Sequence, residues 1–181
     1  MVLAAITLVI VMLFKKVESR LLKLILFFIW ILFFPNTFYF ITDLIHISRF
    51  DFFDQVNYSV VFLKNLEGYI FIIFILFGTY ISVKMGLESL NLLIIYNIEN
   101  KIIKIPEFIL VIVISFLSSV GIYIGRFLRF NSWDVLKPWK LMRSIVSDTS
   151  VFTLIFIILF TLTHLFLIYF DQKERGFLWK K

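Results

Sequence analysis

Asp43 and His46 stand three residues apart beyond one long apolar stretch, and Arg126 and Arg129 stand three apart at the end of another. An imidazole beside a carboxylate is the arrangement of an oriented general base. Two guanidinium groups three apart on one helical face offer planar forks to a carboxylate or phosphate. Asn36, Asn131, Trp133 and Asp134 flank these residues with amide and indole donors and a further carboxylate. Read as one set, they suit binding of an anionic group. Read as a reacting set, His46 is the base, Asp134 a second acid or base, and the arginines stabilise developing charge, which describes an intramembrane enzyme. His46, Asp43 and Asp134 also have the donor types of a zinc or iron site, but lack tight ligand spacing. No metal and no cofactor is expected, and neither GxSxG nor HExxH occurs.

Each of these residues also has an architectural reading. Arg126 and Asp43 can pair across two helices, because a charge near lipid is costly and seeks a partner. Asn36 can satisfy backbone freed by Pro35, and Trp133 can anchor at the interface.

The elements that position these residues are membrane helices. Of the 181 residues, 61% are hydrophobic, and the mean hydropathy is +1.00. The apolar residues come in unbroken blocks, which in lipid must pair their own backbone amides. The fold class is therefore all-α: a polytopic membrane protein, a bundle of about five transmembrane helices in a single domain. The expected helices cover about 2–17, 21–41, 69–96, 107–128 and 151–170. No cysteine is present, which excludes disulfides, thiol catalysis and thiolate metal sites. The net charge of +6 is read as helix-flanking lysine and arginine facing headgroups. No nucleic-acid motif occurs.

The first helix is short, and its positive charges follow the apolar part, so it reads as retained and not as a secretory signal. Pro35 predicts a kink or an end in the second helix. The third either stops before Lys84 or continues to about Tyr96; the longer reading sets Lys84 and Glu88 four apart, able to pair. The fourth opens after Pro106 and carries Gly121 and Gly125 in GxxxG spacing, which permits close packing. His164 lies within the fifth, as an interior hydrogen-bonded histidine or as a relay with Glu88 or Lys84. Two long loops, 48–68 and 130–150, join the helices. The aromatic cluster of Phe50, Phe52, Phe53 and Tyr58 in the first suits the interface. A charged tail ends in Trp179, Lys180 and Lys181.

Eleven of the 18 lysines and arginines fall on the face holding the turn after the first helix, the segment after the third and the tail. That bias predicts a multi-pass protein of the cell membrane with the N-terminus outside and the C-terminus cytoplasmic. It also leaves the second long loop basic on the outer side.

Two motifs carry a family resemblance: FPNTFYFITDLIHI (Phe34 to Ile47) and GIYIGRFLRFNSWD (Gly121 to Asp134), with Gly86 to Leu90 as a weaker third block. The chain resembles the bacterial integral membrane family called domain of unknown function 1361. That family commonly has tryptophan where this chain has Phe130, and often more sequence at the N-terminus. The resemblance implies a membrane architecture and no activity.

If the second and fourth helices run in the same direction, the ends of both motifs surface together. Asn36, Asp43, His46, Arg126, Arg129, Asn131, Trp133 and Asp134 then share one membrane level. The function expected is a binding or transport component for an anionic or lipid-linked envelope molecule. An enzyme acting on a lipid headgroup, or an accessory subunit of a membrane complex, is the alternative. Membrane lipids are the expected partners, with another membrane protein in the accessory reading.

Overall fold

The computed structural model describes residues 2–56, 59–100 and 105–175. Tyr58, Trp179, Lys180 and Lys181 lie outside the described residues. Among the described residues, seven α-helices follow one another: α1 (Val2–Lys16), α2 (Arg20–Phe33), α3 (Tyr39–Thr42), α4 (Leu66–Asn100), α5 (Glu107–Arg126), α6 (Pro138–Asp148) and α7 (Val151–Glu174). A 3-10 turn at Phe34–Thr37 joins α2 to α3, and a 3-10 segment at Asp43–Arg49 follows. Four stretches of the described residues are long and apolar enough to cross a membrane: Arg20–Arg49, Leu66–Asn97, Glu107–Arg126 and Val151–Glu174. α1 adds a shorter apolar helix, about 22 Å long at 1.5 Å per residue, packed on α2 and α4.

The second expected helix is one span in three pieces. Pro35 supplies no amide, and the backbone tightens into a 3-10 turn around it. Side chains then take up freed carbonyls: Asn36 Nδ2 donates to Phe33 O at 3.1 Å and Thr37 Oγ1 to Phe34 O at 2.8 Å. Trp30, Phe34 and Phe38 repeat every fourth residue and are buried, so the broken span keeps one face to the core. Trp30 Nε1 donates to Ser89 Oγ at 3.3 Å, fixing α2 against α4.

Two glycines grip the break from opposite sides. A Cβ on Gly121 would lie 2.6 Å from Pro35 Cγ, and one on Gly86 would fall inside the Thr37 side chain. Gly125 faces Tyr39, where a Cβ would come within 3.2 Å. The GxxxG spacing therefore serves the contact of α5 with the kinked segment.

α4 is one uninterrupted helix of 35 residues, as in the longer reading of the third helix. The Lys84–Glu88 pairing expected within it is replaced by contacts to α7, described below. α5 ends at Arg126, two residues before the expected end, and α7 continues to Glu174, past the expected 170.

Both long loops hold structure that periodicity did not reveal. In 48–68, strands β1 (Phe53–Val56) and β2 (Ser59–Phe62) pair antiparallel. Leu63 N donates to Phe52 O, and Asn65 Oδ1 accepts from Gly68 N at the start of α4. This small hairpin is an exception to the otherwise helical fold. In 130–150, a 3-10 turn (Ser132–Leu136) leads into α6. The Lys-Pro step opens that helix, because proline suits the first helical position. Capping by Ser150, whose hydroxyl accepts from Thr153 N, then starts α7.

Candidate functional site

The ends of the broken span and of α5 do meet. Arg126 Nη2 donates to Asp43 Oδ1 at 2.5 Å, and its Nε to Thr42 Oγ1 at 2.9 Å. The guanidinium also lies over the Tyr39 ring, 4.8 Å from its centroid. Close approach of α5 at Gly121 and Gly125 sets the helix low enough on the kinked segment for this reach. With Nε and Nη2 both bound, Arg126 is a clamp between two spans. Its side chain is 19% exposed.

His46 follows Asp43 by three residues in a 3-10 segment, where such residues eclipse. Its Nε2 stands 3.8 Å from Asp43 Oδ1, beyond hydrogen-bonding distance. The oxygen it faces is the one that receives Arg126. The carboxylate is thus neutralised by the arginine and does not orient the imidazole as a base.

Arg129 departs from the expectation. α5 ends at Arg126, and Arg129 takes φ 56°, the left-handed region. The two arginines therefore do not share a helical face. Arg129 is exposed and makes no ion pair among the described residues. The turn at Arg129 sends the chain back over the break. Ser132 Oγ donates to Leu32 O at 3.3 Å, with the broken span thereby held a second time.

Asn131 and Asp134 bind each other's turn. Asp134 Oδ2 accepts from Asn131 N at 2.7 Å in a reciprocal cap of the 3-10 turn. Asp134 is thus committed to local structure and stays apart from Asp43 and His46. Among the described residues, no three histidine, aspartate or glutamate side chains gather around one point.

Asn36, Asn131 and Trp133 share another feature. They line a groove of about 460 Å³ between the kinked span and α5. Leu3, Leu32, Leu117, Val120 and Ile124 give it apolar walls, and Tyr39 separates it from Arg126. Phe130 closes one side, and Lys140 Nζ lies 5.7 Å above that ring. Trp133 is 63% exposed at the rim. Of the expected eight residues, Asp43 and Arg126 form the clamp with Thr42, His46 stands beside it, and Asn36, Asn131 and Trp133 line the groove. Asp134 caps and Arg129 stands outside. Lys140 was expected only as one cation of the basic second loop, because the helix that carries it has no apolar block to reveal it.

A second charged centre lies between α4 and α7. Asp171, 5% exposed, accepts from Lys84 Nζ at 3.1 Å, Asn91 Nδ2 at 2.7 Å and Arg175 Nε at 2.9 Å. Arg175 also binds Glu88 at 2.6 Å, and Lys84 lies 3.9 Å from Glu174. For Arg175, just past the span, burial works against the charge. The bond to Glu88 and then the charge and bond of Asp171 outweigh it, raising the guanidinium above its ordinary pKa. Sequence spacing could not show this centre, because Asp171 sits in what read as the tail.

His164 is fully buried between the two centres. Its Nε2 meets Ser118 Oγ at 2.9 Å and its Nδ1 meets Phe160 O at 2.6 Å. Phe38 packs on the ring at 4.0 Å. Lys84 and Glu88 bind other groups, so the interior hydrogen-bonded reading of His164 describes its position.

Comparison with curated proteins gives no match, and neither does comparison with solved structures. A family profile described as "Protein of unknown function (DUF1361)" matches residues 1–167, a range that includes the clamp, the groove and all eight residues considered above. With that match over most of its length, and with helices able to cross a membrane, the chain belongs to the DUF1361 family.

Proposed function

We propose that this protein binds one lipid-like anion in the groove between its kinked span and α5, as a binding or transport component of the membrane. The observation that carries this reading is the division of the groove's lining. Its walls are aliphatic, its rim holds Asn36, Asn131, Ser132 and Trp133, and Lys140, without an ion pair among the described residues, stands over Phe130. That pattern matches an amphiphile whose chain lies against Leu32, Leu117 and Ile124 while its head meets amides, indole and ammonium. Arg129, exposed and unpaired among the described residues, adds positive potential next to the rim. The bias of lysine and arginine favours placing this rim on the outer side, with the C-terminus cytoplasmic. An anionic, lipid-linked envelope molecule has the required chemistry.

Native mass spectrometry of the protein purified in mild detergent tests the reading. The wild type is expected to carry an anionic lipid. Leu117→Trp fills the groove from a half-exposed wall position, so the fold tolerates it while the bound lipid is lost. Arg129→Asn keeps the left-handed backbone accessible and removes the charge, weakening retention several-fold. A folded Leu117→Trp protein that retains the same lipid would sink the proposal.

A further inference from the structure

Helix α6 presents an unpartnered face with a definite chemistry. Trp139, Met142 and Val146 recur at helical spacing and are 71%, 59% and 72% exposed. Leu141 and Ile145 continue the same apolar arc toward the protein and are half-buried. The opposite arc carries Lys137, Lys140, Arg143, Ser144 and Ser147. The cleft of about 590 Å³ over this helix is lined by the three cations together with Pro138, Trp139 and Ser144. None of the three cations makes an ion pair among the described residues. Arg143 stacks on Trp139 at 5.7 Å. The one carboxylate of α6, Asp148, accepts from the Tyr123 hydroxyl.

The position of α6 is as definite as its composition. It joins the last residue of one candidate span, Arg126, to the first of the next, Val151. Tyr123 holds the corner between α6 and α7 through Asp148 and through Thr153 Oγ1 at 2.8 Å. The reciprocal Asn131–Asp134 cap holds the turn before it. The helix is therefore fastened at both ends to the level where two spans leave the membrane. A helix of this length lies at that level and crosses nothing.

We propose that α6 is a membrane-surface helix that docks on anionic phospholipid headgroups of the leaflet at the α5–α7 end. Trp139, Met142 and Val146 enter the acyl boundary. Lys137 and Arg143 extend from the same helix to headgroup phosphates, their aliphatic stems lying along the apolar arc. The charge complementarity is one-sided: three cations without ion pairs among the described residues face the ligand, with the carboxylate of α6 already bound. This function belongs to α6 and is independent of the groove. Lys140, whose ammonium lies over Phe130 of the groove, is left intact in the test so that either proposal can fail alone.

The chain has no cysteine, which makes single-site spin labelling direct. Labels at Val146→Cys and Ser144→Cys, in the full chain in nanodiscs, are read for access to oxygen and to a water-soluble nickel chelate. The expected result is a several-fold preference for oxygen at 146 and for nickel at 144. Adding phosphatidylglycerol to a phosphatidylcholine disc deepens the 146 label. K137Q/R143Q removes that dependence, about fivefold in lipid enrichment per cation, equivalent to about 1 kcal/mol each. Nickel access at 146 in both lipids, or protection from both reagents by a protein partner, overturns the proposal. So does loss of the phosphatidylglycerol effect in inorganic phosphate, which marks a soluble-anion site. An unchanged unfolding midpoint certifies that each variant is folded.

Discussion

The two charged centres of this bundle use the same residue types to different ends. Between α4 and α7, Asp171 accepts from Lys84, Asn91 and Arg175, and Arg175 passes on to Glu88. Closed through the α4 backbone, these contacts form a ring across the two helices. At the other end, Arg126, Asp43 and Thr42 form a three-residue clamp, and the surrounding loop keeps Arg129, Lys137, Lys140 and Arg143 without ion-pair partners among the described residues. A groove opens next to the clamp. The lesson is that a cluster of charge in a membrane protein is not in itself a site. The closed ring holds two helices, and what remains for a ligand at the clamp end is the set of groups the clamp leaves over.

Breaking the ring is predicted to have the largest effect. Asp171→Ala removes the acceptor shared by three donors at a nearly buried position. It should destabilise the protein by about 3 kcal/mol, read as a lowered unfolding midpoint in mixed micelles. Gly121→Val comes next. Its new side chain meets Pro35 and pushes α5 from the break, with an expected cost of about 2 kcal/mol and loss of the Arg126–Asp43 contact in a double-mutant cycle. Arg126→Gln should cost about 1.5 kcal/mol and leave any ligand bound to the groove in place. If it abolishes binding in a folded protein, clamp and site are one, and the contrast drawn above fails. Tyr123→Phe frees the α6–α7 corner at about 1 kcal/mol and should raise hydrogen exchange in α6 without affecting the ring. His46→Gln should change stability by less than about 0.5 kcal/mol. A larger loss would mean that the imidazole contributes more than its 3.8 Å contact implies.

Which residues lie in spanning helices was legible in the chain, because lipid requires every spanning segment to pair its own amides and to be apolar along its length. The break at Pro35, the helix start at Pro106, the close-packing role of Gly121 and Gly125, and the meeting of Arg126 with Asp43 could be read as well: each follows from local chemistry plus the parallel course of two spans. α6 and the β-hairpin were not legible. Eleven residues of mixed charge and two four-residue strands carry too little apolar periodicity to register.

The partner each charge takes was settled only by tertiary structure. Spacing put Lys84 with Glu88, yet each reaches α7, since the rotation and offset of one helix against another decide which groups face each other. Spacing likewise put Arg129 beside Arg126, until the chain left the helix at a positive φ. Residue order alone places the polar groups along each span. Rigid packing at Gly86, Gly121 and Trp30 determined which of them touch, because a bond needs its donor within about 3 Å, a tolerance that only the packed bundle can set.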